Sequence, residues 1–211
     1  MTVQSVDVKA LRPTQIAVGM KLVKAKRKGL RARERKPHEL VQFILANPIR
    51  IVAGPAKYLY VVDHHHLAHA LLDEGFETAP VEVLEDFSTL ATAEFWKQME
   101  AKGWVHPFDG KGRKRPLRNI PRKVKDLEDD PYRSLAGFVR EVGGFQKTLK
   151  PYAEFIWADF YRTRIALKLV KKNFAKALQQ AKRLAASVDA SALPGYTPQG
   201  VAKVSKKSAD L

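Results

Sequence analysis

The chain has 211 residues, with 38 Lys+Arg against 22 Asp+Glu and a formal net charge of +16. Hydrophobic residues make up 45%, enough for a packed core and too many for a chain disordered by composition. It contains no cysteine, which excludes disulfides, thiolate metal sites and a cysteine nucleophile.

In chain order, Val3 to Val8 reads as a short strand and Leu11-Arg12-Pro13-Thr14 as a turn. A basic run from Lys21 to Lys36 follows, with a mobile loop expected around Gly29. Pro37-His38-Glu39 opens a helix whose Leu40, Val41, Ile44 and Leu45 fit one face, and Asn47-Pro48 ends it. Ile49 to Val52 and Tyr58 to Val62 form a hairpin around Gly54-Pro55. Asp63-His64-His65-His66 comes next, then a helix from Leu67 to Glu74 with Gly75 at its C′ position. Ala79 to Leu84 is a further strand.

Beyond residue 88 the pattern turns helical. Thr92 to Lys102 is an amphipathic helix stopped at Gly103, and residues 103–125 form a long basic loop. Asp129-Asp130-Pro131 starts another helix, with an acidic N-cap and Pro at the first position. Further helices follow Pro151 and run to about Ala186, Ala192 to Tyr196 docks as a turn, and the tail from Ala202 frays. The fold class is therefore α+β: an α/β domain at 1–88 and a helical region at 89–211.

The charge is uneven. Residues 1–88 hold 13 basic and 10 acidic side chains, whereas 89–211 hold 25 and 12. Lys21 to Lys36 has nine basic residues and one acid, and Gly110 to Lys125 has eight and none. Such runs attract phosphates or simply keep a surface solvated. Lys26, Arg27, Lys28, Arg31, Arg113, Lys114 and Arg115 are the candidate nucleic-acid contacts.

Four of the six histidines fall between His64 and His69, where a strand gives way to a helix. Three readings stay open. His65 and His69, four apart, could hold a metal with Asp63. The histidines could be structural, filling a crowded turn. Or the segment could be an active-site turn that binds phosphate at a helix N-terminus, with imidazoles moving protons. Trp96, Trp104 and Trp157 read as core or interface residues. Asp159 and Arg162 read as an ion pair, and Glu39 as a helix-dipole residue.

The order LRPTQIAVG, HELVQFI and PIRIVAGPAKYLYVVDHHHLAHALLDEGFETAPVEVLED resembles the ParB/sulfiredoxin-type domain. The likeness covers about residues 1–88 and points to the ParB-like subgroup labelled as nucleases. Asp63 and His65-His66 also resemble the Asp-Gly-His-His segment of the superfamily's free serine kinases. The resemblance implies nucleotide binding (ATP, ADP or CTP, with Mg²⁺), with Asp63, His65 and His66 as catalytic groups and Asp63 on the metal. It implies that Arg12, Thr14, His64 and His69 contact phosphate or nucleotide. Departures are also plain: His64 replaces the usual Gly, Leu67 replaces the phosphate-clamping Arg, and Gln15 falls where the kinases have an acid. The missing cysteine excludes sulfinic acid reduction.

The expected activity is a nucleotide-dependent transfer or hydrolysis at phosphoryl groups. The alternative is a DNA-binding partition protein or nuclease. Partners would be a nucleotide or phosphorylated small molecule, with DNA admitted by the basic runs. With no apolar run of membrane length and no leader pattern, a cytoplasmic location is expected.

Overall fold

The structure is a computed structural model that describes residues 4–198. They form two compact units. The first takes in the described residues up to Val18 together with Val23–Glu128, and the second takes in Gly19–Leu22 and the described residues from Asp129 on. The resemblance ends near residue 88, whereas the compact unit that contains it runs on to Glu128. The tail from Ala202 lies outside the described residues.

The first unit is built on a five-stranded mixed sheet. Its strands are β1 (Gln4–Asp7), β2 (Leu11–Pro13), β4 (Ile49–Ala53), β5 (Leu59–Asp63) and β6 (Thr78–Asp86), in the order β1-β6-β4-β5-β2. β4 and β5 are the expected antiparallel hairpin. Its turn puts Ala56 and Lys57 at positive φ (55° and 59°) after Gly54-Pro55. β2 corrects the sequence reading, which took Leu11 to Thr14 as a turn. It is a strand, parallel to β5 with Arg12 opposite Tyr60. A proline is tolerated there because β2 is an edge strand.

The basic run is also corrected. No loop interrupts it at Gly29; helix α1 spans Met20–Glu34. Buried Val23 and Leu30 anchor it, and the roughly 1 kcal/mol cost of a mid-helix glycine is offset by that burial. Helix α2 (Pro37–Ala46) stands where expected, but none of its residues is buried, and Val41 and Leu45 face solvent. Helix α3 (His65–Asp73) buries Leu67, Ala68, Ala70 and Leu71, and Gly75 closes it at φ +78°. Helix α4 (Thr92–Ala101) sets Phe95 and Met99 against Val52 and Tyr60, with Trp96 and Trp104 packed alongside. Residues 103–125 are mostly loop. The loop is tied to the sheet unit by His106 N–H donating to the Thr14 carbonyl (2.9 Å). The short strands β3 (Ala17–Val18) and β7 (Glu128–Asp129) are the remaining strands among the described residues.

The second unit is helical: α5 (Pro131–Glu141), α6 (Ala153–Arg162), α7 (Leu167–Lys172) and α8 (Phe174–Ala185). As its sequence indicated, Asp130 caps α5, accepting from Tyr132 N and Arg133 N. Trp157 lies fully buried, stacked on Phe145 with ring centroids 4.3 Å apart. Its Nε1 donates to the Pro194 carbonyl (2.8 Å), which docks the expected turn at Ala192–Tyr196.

Candidate functional site

Strand β5 ends at Asp63, and the chain must then reverse direction to enter α3. It does so through His64, which takes the left-handed conformation (φ 68°, ψ 27°) at the N-cap. A glycine is the usual residue for that geometry. Asp63 stabilises the turn by accepting from His64 N–H through Oδ1 (2.7 Å), which leaves Oδ2 on an exposed side chain. No side chain caps α3, so the positive end of the helix dipole faces the turn.

The three consecutive histidines have different surroundings. His64 Nδ1 lies 2.9 Å from the Pro48 carbonyl oxygen. A carbonyl only accepts, so Nδ1 carries the proton and Nε2 presents a lone pair, 4.0 Å from Asp63 Oδ2. Burial pushes the His64 imidazole below its ordinary pKa; Asp63 opposes this, and Lys26 and Arg50 reinforce it. Burial thus favours the neutral form of His64. His65 is buried, and its Nε2 accepts from Thr14 N–H (3.2 Å), while Thr14 Oγ1 donates to the Val61 carbonyl (2.7 Å). The lone pair of His65 is thus engaged in joining α3 to the segment after β2. His66 is half-buried. His69 is buried on the same helix face as His65, with Nδ1 3.4 Å from Asp73 Oδ1 and no hydrogen bond to either ring nitrogen among the described residues.

Among the described residues, no group of three or more His, Cys, Asp or Glu side chains could hold a metal ion. An all-protein metal cage at His65, His69 and Asp63 does not form. A Mg²⁺ shared with substrate phosphates asks only for one or two carboxylates, and exposed Asp63 meets that lesser demand.

Of the other candidates, Arg12 is half-buried and stacks on Tyr58, its guanidinium carbon 3.1 Å from the ring centroid. Thr14 is fully buried and committed to the contacts above. Lys24, Arg27, Lys28 and Arg31 line a shallow groove of about 290 Å³ along α1. Two of those four cations are already neutralised. Arg27 Nε and Arg31 Nε each donate to Glu74 at 2.5 Å, and Arg27 also reaches Asp73 at 3.1 Å. Arg113 folds back on buried Asp109 (2.8 Å). Burial alone would raise the Asp109 pKa, but the Arg113 and Lys111 amides and the Arg113 guanidinium hold it low. Lys114 and Arg115 are exposed. The residue that sequence reasoning passed over is Arg50, the cross-strand partner of Asp63 on β4. It carries no motif signal, because only strand register brings it to the turn.

A mixed sheet with an Asp-His turn at a helix N-terminus defines a ParB-like α/β domain followed by helices. The sequence profile of the family described as "Putative ParB-like nuclease" matches residues 4–163, and the chain belongs to that family. It is similar to protein Atu1540 from Agrobacterium tumefaciens, whose crystal structure matches with a TM-score of 0.84 at 41% identity, covering 93% of this chain and 98% of that one. None of the curated proteins matches the chain. Among the described residues, no helix is long and apolar enough to cross a membrane.

Proposed function

We propose that the turn from Asp63 to His66 receives a phosphoryl group of a nucleotide (ATP, ADP or CTP) and that the protein transfers or hydrolyses it. The observation that carries this reading is His64. Its Nδ1 is taken up by the Pro48 carbonyl, so its Nε2 stands beside Asp63, at the mouth of a helix that no side chain caps, and burial favours its neutral form. Phosphate oxygens accept from the first N–H groups of α3, and Lys26 and Arg50 offset their charge. His64 Nε2 takes the proton from the attacking water or hydroxyl as the bond from phosphorus to the leaving oxygen breaks. Asp63 then stabilises the imidazolium that results. Mg²⁺ would be held by Asp63 together with the phosphates, where it neutralises charge. Arg12, on β2 beside β5, is the candidate for contacts beyond the phosphate, and the cytoplasm, where such nucleotides are abundant, is the location that fits.

The test is incubation with ATP, ADP and CTP in Mg²⁺, following binding and released or transferred phosphate, for wild type, Asp63→Ala and His64→Gln. Loss of a general base lowers turnover about 10²–10⁴-fold. Absence of nucleotide binding and turnover, or wild-type rates in both variants, refutes the proposal. A phosphodiester within a nucleic-acid strand offers the same oxygens. Lys114 and Arg115, exposed and outside every ion pair among the described residues, favour this second reading. Nicking of a duplex that disappears with Asp63→Ala would select it.

A further inference from the structure

Several cations of the first unit are matched by acids: Arg27 and Arg31 by Glu74, Arg50 by Glu82, Arg113 by Asp109, Lys102 by Glu85. The helices at the end of the second unit are different. From Phe160 to Val188 there are eight basic residues and no acidic one. Two of the eight, Arg162 and Arg164, are used locally, on Asp130 and on the Phe160 carbonyl. The other six, Lys168, Lys171, Lys172, Lys176, Lys182 and Arg183, are all exposed, and none makes an ion pair among the described residues.

Their arrangement is directional. Helix α8 turns Ala177, Ala181 and Ala185 into the core, at intervals of four. Lys176, Gln179, Gln180 and Arg183 fall at i, i+3, i+4 and i+7 and share the outer face. That face mixes point charges, a guanidinium fork and amide donors, the groups that contact phosphate oxygens. At the start of α8, Lys21 adds a further cation, its Nζ 4.9 Å from the Phe174 ring centroid. Lys168, Lys171 and Lys172 continue the charge onto α7. The alanine face of α8 is spent on the core, so the helix has no apolar side left to insert into a lipid surface.

We infer that the outer face of α7 and α8 binds the phosphate backbone of a nucleic acid, on the second unit and beyond the segment that the family profile matches, whereas the Asp63 turn belongs to the first unit. Contact is electrostatic and carries no sequence preference.

The experiment is fluorescence anisotropy of labelled duplex DNA and duplex RNA with the full chain across a salt series. Wild type should bind with a steep dependence on log salt concentration. Lys171→Gln/Lys172→Gln/Lys176→Gln/Arg183→Gln together should flatten that slope by about 3 to 4, and weaken binding about 10³-fold at 0.1 M salt. Each single substitution should flatten it by about 0.9, so the result does not depend on the quadruple variant folding. Lys97→Gln, at a first-unit cation already paired with Glu94, should leave the salt slope unchanged, and because duplex binding and nucleotide turnover are separate readouts, this inference and the proposed nucleotide chemistry fail independently. The arm that binds, DNA or RNA, identifies the source of the backbone. No duplex binding by wild type overturns the inference. So do variants with the wild-type salt slope, loss confined to a Lys114→Gln/Arg115→Gln variant, and binding to anionic vesicles but to neither duplex.

Discussion

Glu74, the C-cap of α3, ties that helix to α1, and replacing it by glutamine isolates the strength of that joint. Its carboxylate accepts from Arg27 Nε and Arg31 Nε, both at 2.5 Å, and again from Arg31 Nη2 at 2.9 Å. These bonds, with Arg31 foremost, hold its pKa at about 2 instead of the ordinary 4.5. At about 1.36 kcal/mol per pKa unit, the drop sets a ceiling of roughly 3.4 kcal/mol. Water screens much of that, because the Arg31 side chain is 57% exposed and that of Arg27 is 29% exposed. An effect of about 1–2 kcal/mol remains for Glu74→Gln at pH 7. The sign follows from linkage. A depressed carboxylate pKa contributes stability above pH 4.5, and that contribution fades as pH falls through about 2. Urea unfolding of both proteins between pH 7 and pH 2 measures the gap. It should be constant above pH 5 and close progressively below 4.5. A gap that persists undiminished at pH 2, or none at pH 7, refutes the reasoning.

Four further substitutions test the second unit. Asp130→Ala removes the α5 cap and strands Arg162, whose Nη2 lies 2.8 Å from a carboxylate only 1% exposed; urea unfolding should show a loss of about 3–5 kcal/mol. Burial pushes the Asp130 pKa up against Arg162, so Asp130→Ala/Arg162→Met should recover much of that loss. Tyr161→Phe removes a buried hydroxyl with no partner among the described residues, and its thermal midpoint should match or exceed wild type. Gly195→Ala forces a Cβ to 2.1 Å from the Gln146 carbonyl oxygen at φ +74°, and should cost roughly 2 kcal/mol or more.

What the sequence made legible was what local chemistry dictates. Pro37, Asp130-Pro131, Gly75 and Gly103 mark helix ends by backbone constraint, and each stands at one. The β4–β5 hairpin was readable from its β-branched runs. What escaped was decided by distant partners. Leu11-Arg12-Pro13 is a strand because β5 lies beside it, and nothing in three residues announces that. Gly29 sits inside a helix because its neighbours Val23 and Leu30 are buried. At the turn, the aspartate and the imidazoles were visible as types, but their division of labour was not. His65 faces the Thr14 amide and His64 faces the Pro48 carbonyl, contacts 51 and 16 residues apart in sequence. The proposed proton acceptor is therefore His64, at the position where the resembled motif has glycine.

The two phosphate-binding proposals rest on different physics, and ionic strength separates them. A nucleotide at the turn would be held by oriented N–H groups and two nearby cations, Lys26 and Arg50, the latter already shared with Glu82. Few counterions are displaced by so small a ligand, so its affinity should change little between low and physiological salt. A duplex on α7 and α8 would meet several unpaired cations at once, and each neutralised phosphate releases condensed counterions. Its affinity should fall by orders of magnitude over the same range. The net charge of +16 therefore does not describe one surface. In the first unit part of it is countered by carboxylates, as at Glu74 between Arg27 and Arg31, while Lys114 and Arg115 of the basic loop stay unpaired among the described residues; along α7 and α8 six exposed cations stand together with no acid among them.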